Sequence, residues 1–282
     1  MKSELILSKA IDISRTAIHN GAVIPLNTRK LIINNDNCDY EIRFLESPIP
    51  KYLTEYGPKR NPFIPWDSRL EIRPVNNKHT LILNKYPVQL GHMLLITNTW
   101  EAQNGWLDIE DFEAIVNVDK DTTGLWFFNS SREAGASQPH RHFQLLPRRP
   151  NESICPRYKW FCSLINRKDN NFSYISHCIS VKSRKKNTDR TAYELFNTYK
   201  TMAQELNLGD IGINVKPLKP YNLLLTSDWF ALITRVTDKS HGFSINALGF
   251  AGYFLGTEKS NIEMLIKYGP EIILKDVVEK GK

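Results

Sequence analysis

The apolar positions of this chain change period along its length, and the changes mark out its elements. Between residues 4 and 18, Leu5, Leu7, Ile11, Ile13, Ala17 and Ile18 recur among polar positions as on a loosely amphipathic helix, which Asn20-Gly21 stops. Short apolar runs separated by turn residues follow. Tyr40–Leu45 reads as a strand, and residues 70–75 with His79–Leu83 read as a hairpin across Asn76-Asn77-Lys78. Met93–Thr97 gives a third strand, Asp108 can cap a short helix carrying Phe112, Ile115 and Val116, and Gly124–Asn129 is an apolar strand that delivers Asn129 at its end. Residues 57–66 hold too many prolines for a helix or a central strand. They read as an ordered connection with Phe63 and Trp66 tucked into the core, or as a basic loop that clamps a nucleotide.

Past Pro150 the pattern is sparser. Residues 175–181 read as a strand, and Thr188 or Asp189 caps a helix running through Leu206, with Ala192, Leu195, Phe196, Tyr199, Met202 and Ala203 forming its core-facing stripe before Gly209. Tyr221–Leu225 and residues 229–234 form a second hairpin across Ser227-Asp228. Residues 244–255 are small and apolar, with Gly249 and Gly252 permitting close backbone approach, and two helices divided by Gly269-Pro270 end the chain. Strands joined by turns predict an α+β fold built on an antiparallel meander rather than βαβ units.

Composition adds size and charge to this picture. A chain of 282 residues with 41% hydrophobic content can bury one large core or two interlocked ones. Glu4, Lys9 and Asp12 interrupt the N-terminal segment, so it lacks a secretory apolar core, and no run approaches the ~18 apolar residues of a spanning helix. The expectation is a soluble, cytoplasmic protein. Cys38, Cys155, Cys162 and Cys178 show no CxxC spacing and read as reduced, mostly core residues. The formal charge of +7 and the pI near 9.1 favour a polyanionic partner, either nucleic acid or a small polyphosphate. The densest basic run, at 182–186, has no interleaved aromatics and reads as a solvated loop, so nucleic acid is not the expected partner.

Chemistry concentrates in residues 135–146, Gly-Ala-Ser-Gln-Pro-His-Arg-His-Phe-Gln-Leu-Leu. As a strand, this stretch turns His140, His142 and Gln144 to one face, neighbours roughly 7 Å apart, and Arg141, Phe143 and Leu145 to the other. Pro139 is tolerated at the first strand position, and Gly135 with Ser137 leaves backbone N–H groups free to face an anion. On spacing alone three readings stand: a metal site completed by His79, His92 or Cys155; a structural pair of hydrogen-bonded histidines; and a nucleophilic imidazole that attacks phosphorus.

In its context the motif resembles the active-site strand of the histidine-triad superfamily, in the branch where glutamine replaces the last histidine. Within that branch the chain is similar to the diadenosine tetraphosphate phosphorylases, also called ATP adenylyltransferases. Six blocks carry the likeness in order: Lys59-Arg60-Asn61-Pro62-Phe63, Leu83-Asn84-Lys85-Tyr86-Pro87, Phe128-Asn129-Ser130, Gly135 to Gln144, Tyr221–Leu225 and Asn246-Ala247-Leu248-Gly249-Phe250-Ala251-Gly252. The resemblance implies a histidine-triad-like antiparallel sheet with flanking helices, elaborated by a C-terminal segment. It implies an N-terminal part over residues 1–180 carrying the catalytic strand and a C-terminal part over 181–282 packed into one unit with it.

The resemblance further implies that His142 attacks the α-phosphorus and becomes adenylylated, while His140 orients it or contacts phosphate. Gln144 and Asn129 would hydrogen-bond phosphoryl oxygens, and Gly135, Ala136, Ser137 and Gln138 would line the polyphosphate. Lys59 or Arg60, with Asn84 and Lys85, would supply charge and nucleotide contacts. Asn246, Ala247, Leu248 and Tyr253 would close over the nucleotide. Some relatives carry a lysine near the position of Thr257, and here the next one is Lys259. The implied partners are diadenosine tetraphosphate, ATP, ADP and inorganic phosphate. No resident cofactor is implied, and magnesium would accompany the polyphosphate, since the sequence shows no dedicated carboxylate cage.

Gln144 bears on the reaction type. A glutamine exchanges hydrogen bonds but does not titrate, so it neither protonates a leaving group nor activates water. A departing nucleotide polyphosphate and an incoming phosphate are both stabilised anions, which suits transfer to phosphate better than hydrolysis. A related nucleotidyl transfer or hydrolysis is the competing enzyme reading, and a basic nucleotide- or RNA-binding protein is the non-enzyme one.

Overall fold

The computed structural model describes residues 2–34, 39–46, 61–148, 151–166, 177–180 and 191–278. The N-terminal helix α1 (Leu5–His19) buries Ile6, Ala10, Ser14 and Ala17. The stripe is thus shifted by one position from the one built on Leu5, which is 69% exposed. The small residues Ala10, Ser14 and Ala17 lie on the inner face because the helix approaches the sheet closely there.

The main sheet has the order β3-β4-β5-β7-β6-β9-β10-β8, every neighbouring pair antiparallel. Its strands are β3 (Glu71–Pro74), β4 (His79–Leu83), β5 (Met93–Thr97), β6 (Gly124–Asn129), β7 (His142–Pro147), β8 (His177–Ser180), β9 (Tyr221–Leu225) and β10 (Phe230–Thr234). Both expected hairpins are present. The meander is broken twice: after β5 the chain runs through helix α2 (Ile109–Asp119), skips one place to lay down β6 and returns to fill the gap with β7; β8 then takes the far edge beyond β10, and the chain comes back to set β9 against β6. Helix α2 starts where the sequence signals it, in a capping box made by Asp108 and Asp111.

Alternation along the strands sends side chains to two cores. Trp126, Phe128, Phe143, Leu145 and Leu223 pack with α1, α2 and helix α4 (Ala192–Glu205). Leu125, Phe127, Leu146, Leu224 and Ala231 pack with the C-terminal helices α3 (Tyr158–Asn166), α5 (Ala247–Phe250), α6 (Ile262–Tyr268) and α7 (Pro270–Asp276). Covered on both faces, β6 is buried at every position, which is why it reads as a continuous apolar run. The cap of α4 is Thr191 with Glu194; Thr188 and Asp189, expected for that role, lie outside the described residues. Phe63 is buried and Trp66 packs against the same core, as the connection reading of that loop requires.

A smaller sheet was legible only in its central strand, Tyr40–Leu45. Strand β1 (Thr28–Ile33) pairs antiparallel with β2 (Tyr40–Leu45), and β13 (Tyr253–Gly256) lies parallel to β2 on its other side. Between β10 and α5, β11 (Lys239–Ser240) and β12 (Phe243–Ser244) form a minimal hairpin. Residues 244–255 therefore divide into α5 and β13. Gly252 makes the entry: its φ is +98°, and a Cβ there would stand 2.8 Å from the Asp39 carbonyl. No helix among the described residues is long and apolar enough to cross a membrane.

Helix α3 is pinned to the entry of β10 by the Phe161 ring, stacked on Trp229, the residue before that strand, with centroids 4.1 Å apart. Truncation by Phe161→Ala is expected to cost about 3–5 kcal/mol, seen as a lower urea midpoint at unchanged slope.

Candidate active site

The β6–β7 ladder runs in register as far as Phe127 opposite Gln144, and the same register brings Asn129 opposite His142. There the side chain of Gln103 inserts between the two backbones. Its Nε2 donates to the carbonyls of Asn129 (2.7 Å) and His142 (3.3 Å), and its Oε1 accepts from the His142 N–H (2.8 Å). The residues before His142 pair elsewhere: Arg141 N–H donates to the Glu101 carbonyl, Gln103 N–H to the Pro139 carbonyl, and His140 bridges to Ala102. The strand therefore begins at His142, not at Pro139 as alternation alone suggests.

Arg141 points away from the site, as expected, and anchors this turn to the start of α2. Its Nη1 lies 3.1 Å from Asp111 and 2.7 Å from Glu101. Burial pushes the Asp111 carboxyl up, but the hydrogen bond from His79 and the Arg141 charge outweigh it, and the net direction is down.

Both histidines have determined tautomers. Thr97 Oγ1 donates to the Thr99 carbonyl, so His140 Nε2–H donates to the Thr97 carbonyl at 2.9 Å with Oγ1 beside it at 2.8 Å. His140 Nδ1 then accepts from Asn61 Nδ2 at 2.8 Å, and Asn61 is oriented by the Phe63 N–H on its Oδ1. With Nδ1 accepting and Nε2 donating, neither ring nitrogen of His140 has a free lone pair for a metal. His142 donates from Nδ1 to the His140 carbonyl at 2.8 Å, which leaves Nε2 as the acceptor nitrogen. Phe63 packs against both rings, with centroid separations of 5.5 and 5.3 Å. Burial pushes the His142 pKa down to about 4, against the His140 carbonyl, which raises it. Burial also lowers His140. The imidazole of His142 is neutral across the physiological range.

Around His142 stand polar groups from both halves of the chain. Asn129, on the neighbouring strand, is buried, and its Oδ1 accepts from Asn222 Nδ2 (2.8 Å) and from the Ala247 N–H (2.9 Å). Asn246 caps α5 through the Leu248 N–H. Gly135, at φ +88°, presses against this cap: a Cβ would sit 2.7 Å from the Asn246 Cβ. The amides expected to face an anion are partly spent, since Gly135 N–H donates to the Arg132 carbonyl and Ala136 N–H to the Ser131 carbonyl. Ser137 is exposed and Gln138 half-buried on the same loop. Gln144 is half-buried beside His92, whose pKa burial pushes down to about 4 while the glutamine amide raises it and His142 adds to the fall.

Asn84 approaches this group indirectly: its Nδ2 lies 3.2 Å from His92 Nδ1 and its Oδ1 holds the Tyr86 N–H. Lys85 is exposed, its ammonium 5.7 Å from the Tyr86 ring centre. Leu248 and Tyr253 are half-buried at either end of the turn that joins α5 to β13, and Lys259 is exposed. Lys59, Arg60 and the basic run at 182–186 lie outside the described residues. Sequence reasoning gave no role to Gln103, Asn61 or Asn222. Asn61 and Asn222 sit inside blocks of the resemblance, whereas nothing around Gln103 marks it.

Replacing Gln103 by methionine leaves three buried backbone groups without a partner. It should cost about 3 kcal/mol in urea unfolding, and nuclear magnetic resonance titration should show the His142 pKa moving up toward 6.5 as water reaches the gap.

The comparisons with known proteins agree with this geometry. Residues 1–156 match the family model described as Ap4A phosphorylase N-terminal domain, and residues 158–279 match ATP adenylyltransferase C-terminal domain. The chain is 26% identical over 226 residues to Protein APA1 of Saccharomyces cerevisiae, covering 73% of this chain and 70% of that protein. It is 26% identical over 230 residues to diadenosine 5',5'''-P1,P4-tetraphosphate phosphorylase 2 of the same yeast, at the same coverage. The fold is similar to the crystal structure of yeast Ap4A phosphorylase Apa2, with a TM-score of 0.78 and 22% identity over 100% of both chains, and to that protein in complex with Ap4A, at 0.76 and 22%, again over 100% of both chains. Since the first family model alone takes in more than half of the residues, the chain belongs to the Ap4A phosphorylase family.

Proposed function

We propose that this protein cleaves diadenosine tetraphosphate with inorganic phosphate, giving ATP and ADP. One observation carries the mechanism: a buried, neutral His142 whose Nδ1–H is spent on its own chain and whose Nε2 therefore holds the lone pair. In the first half-reaction Nε2 attacks the α-phosphorus, the bond to the bridging oxygen breaks, and ATP departs with the electron pair. In the second, a phosphate oxygen attacks the adenylyl-histidine, the P–N bond breaks, and ADP leaves. The steps are reversible. Neither needs a proton from the position of Gln144, in keeping with a side chain that does not titrate.

The same reading gives His140 the orienting role rather than a phosphate contact, because its carbonyl holds His142 and both its ring nitrogens are engaged. Asn129 and Gln144 would donate to phosphoryl oxygens, and Asn246, Ala247, Leu248 and Tyr253 would close over the nucleotide. Lys59 or Arg60 would supply charge, and electrostatic stabilisation of this kind accounts for most of the acceleration in phosphoryl chemistry. Magnesium would enter bound to the polyphosphate; among the described residues no group of three His, Cys, Asp or Glu side chains is spaced to hold a metal ion. A soluble nucleotide substrate suits a cytoplasmic enzyme.

Mixed with diadenosine tetraphosphate without phosphate, the protein should gain the mass of one adenylyl group and release ATP. His142→Ala should give neither, and an adduct surviving in that variant would remove His142 from the mechanism. The rate of this first half-reaction, measured in a single turnover, should stay level from about pH 8 to about pH 5 and fall with an apparent pKa near 4. The sign follows from the lowered pKa, since protonation removes the nucleophile; an unperturbed imidazole would be half lost at about pH 6.5.

A further inference from the structure

Arg235 follows the last residue of β10 and is 2% exposed. Its guanidinium donates only to oxygens: Nε to the Val277 carbonyl (3.1 Å), Nη2 to the carbonyls of Thr237 (2.7 Å) and Ile245 (2.8 Å), and Nη1 to the Ala134 carbonyl (3.3 Å) and to Asn222 Oδ1. Among the described residues none of its hydrogen bonds goes to a carboxylate, and its carbon lies 5.3 Å from the Phe250 ring centre. Burial pushes its pKa down to about 9, against a weaker pull from Asp238, so it remains charged at neutral pH. A guanidinium kept in the interior on neutral oxygens, with a carboxylate acting on it only from a distance, is expensive, and a simple structural role does not call for one.

Its partners explain what it does. An arginine cannot accept a hydrogen bond. Asn222 must therefore turn its Oδ1 to Arg235, which turns its Nδ2 to Asn129 Oδ1 and the Ala134 carbonyl, both at 2.8 Å. Asn129 Oδ1 is thereby claimed, a second time by the Ala247 N–H, and the Asn129 Nδ2 is the group left to face the site. A primary amide is nearly symmetrical in shape, so it is these two donors, Asn222 Nδ2 and the Ala247 N–H, rather than its packing, that distinguish its acceptor end from its donor end. The same guanidinium holds Ala134, beside Gly135, and Ile245, beside Asn246, so the loop after β6 and the start of α5 are tied to one point.

We propose that Arg235 is a positioning residue that acts through Asn222 to fix the donor end of Asn129 toward the phosphoryl group. This rests on the reading of Asn129 as a phosphoryl contact. The test separates polarity from folding. Asn222→Asp keeps the shape and gives Arg235 a carboxylate, but it removes the donor that claims Asn129 Oδ1. This variant should stay folded by circular dichroism and lose at least about tenfold in kcat, as loss of one oriented donor does. Combined with Asn129→Ala it should lose no more than Asn129→Ala alone. Arg235→Met should be non-additive with Asn129→Ala in the same way, and if it does not fold, Arg235→Lys, which keeps a donor and the charge, should retain most of the rate.

Wild-type kcat in Asn222→Asp, or losses that multiply with Asn129→Ala, would overturn the proposal. The same cycle in the dissociation constant for ATP, measured by calorimetry, reads the relay without turnover. An intact ATP cycle in a protein that shows no phosphate-dependent cleavage would sink the proposed reaction and leave the relay standing.

Discussion

A single primary amide keeps the central sheet open at one point, and the arrangement of the site depends on it. Between β6 and β7 a regular ladder would have joined Asn129 and His142 directly and drawn their backbones together. Gln103 takes the place of those bonds on both sides, so three buried backbone groups remain satisfied while the strands part. The chain before His142 is then free to pair with residues 101–103, and that pairing places the His140 carbonyl under the ring of His142.

The two faces of the sheet handle charge differently. On the α2 side, Arg141, Lys78, Glu101, Asp108 and Asp111 neutralise one another within a cluster of ion pairs. On the opposite side, among the described residues, His142 and His92 are held neutral by burial, and the hydrogen bonds of Arg235 go to backbone and amide oxygens rather than to a carboxylate. The contrast arises because successive side chains on a strand point to opposite faces: Arg141 belongs to the structural cluster and His142, one residue on, to the chemistry.

Much of this was legible in the sequence for reasons that can be named. The strands read correctly where both faces are buried, as in β6, and the start of α2 read correctly because its capping box is local. Asn129 was expected at the end of its strand, and it is there. What was illegible is what depends on distant segments. Strand β1 has mostly exposed side chains, and β13 exists only because β2, about two hundred residues earlier, offers it an edge. The N-terminal helix is rotated by one position because the space beneath it admits alanine and serine rather than leucine. Gln103 has no neighbours that mark it, since its partners are backbone atoms 26 and 39 residues away. The amide of Gly135 was misjudged because a turn consumes its own N–H groups before a ligand can reach them.

The seam between the two halves has a consequence for how the chain can be divided. The family models meet near Arg157, yet β9 of the second half lies directly against β6 of the first, and β13 completes the sheet begun by β1 and β2. A fragment ended at that seam would bare the hydrogen-bonding edge of β6, a run of Leu-Trp-Phe-Phe with no charge or proline to blunt it. The halves are thus successive contributors to one sheet rather than separable modules. A duplication, fusion or permutation of this protein would have to respect that shared edge or expose a surface prone to aggregation.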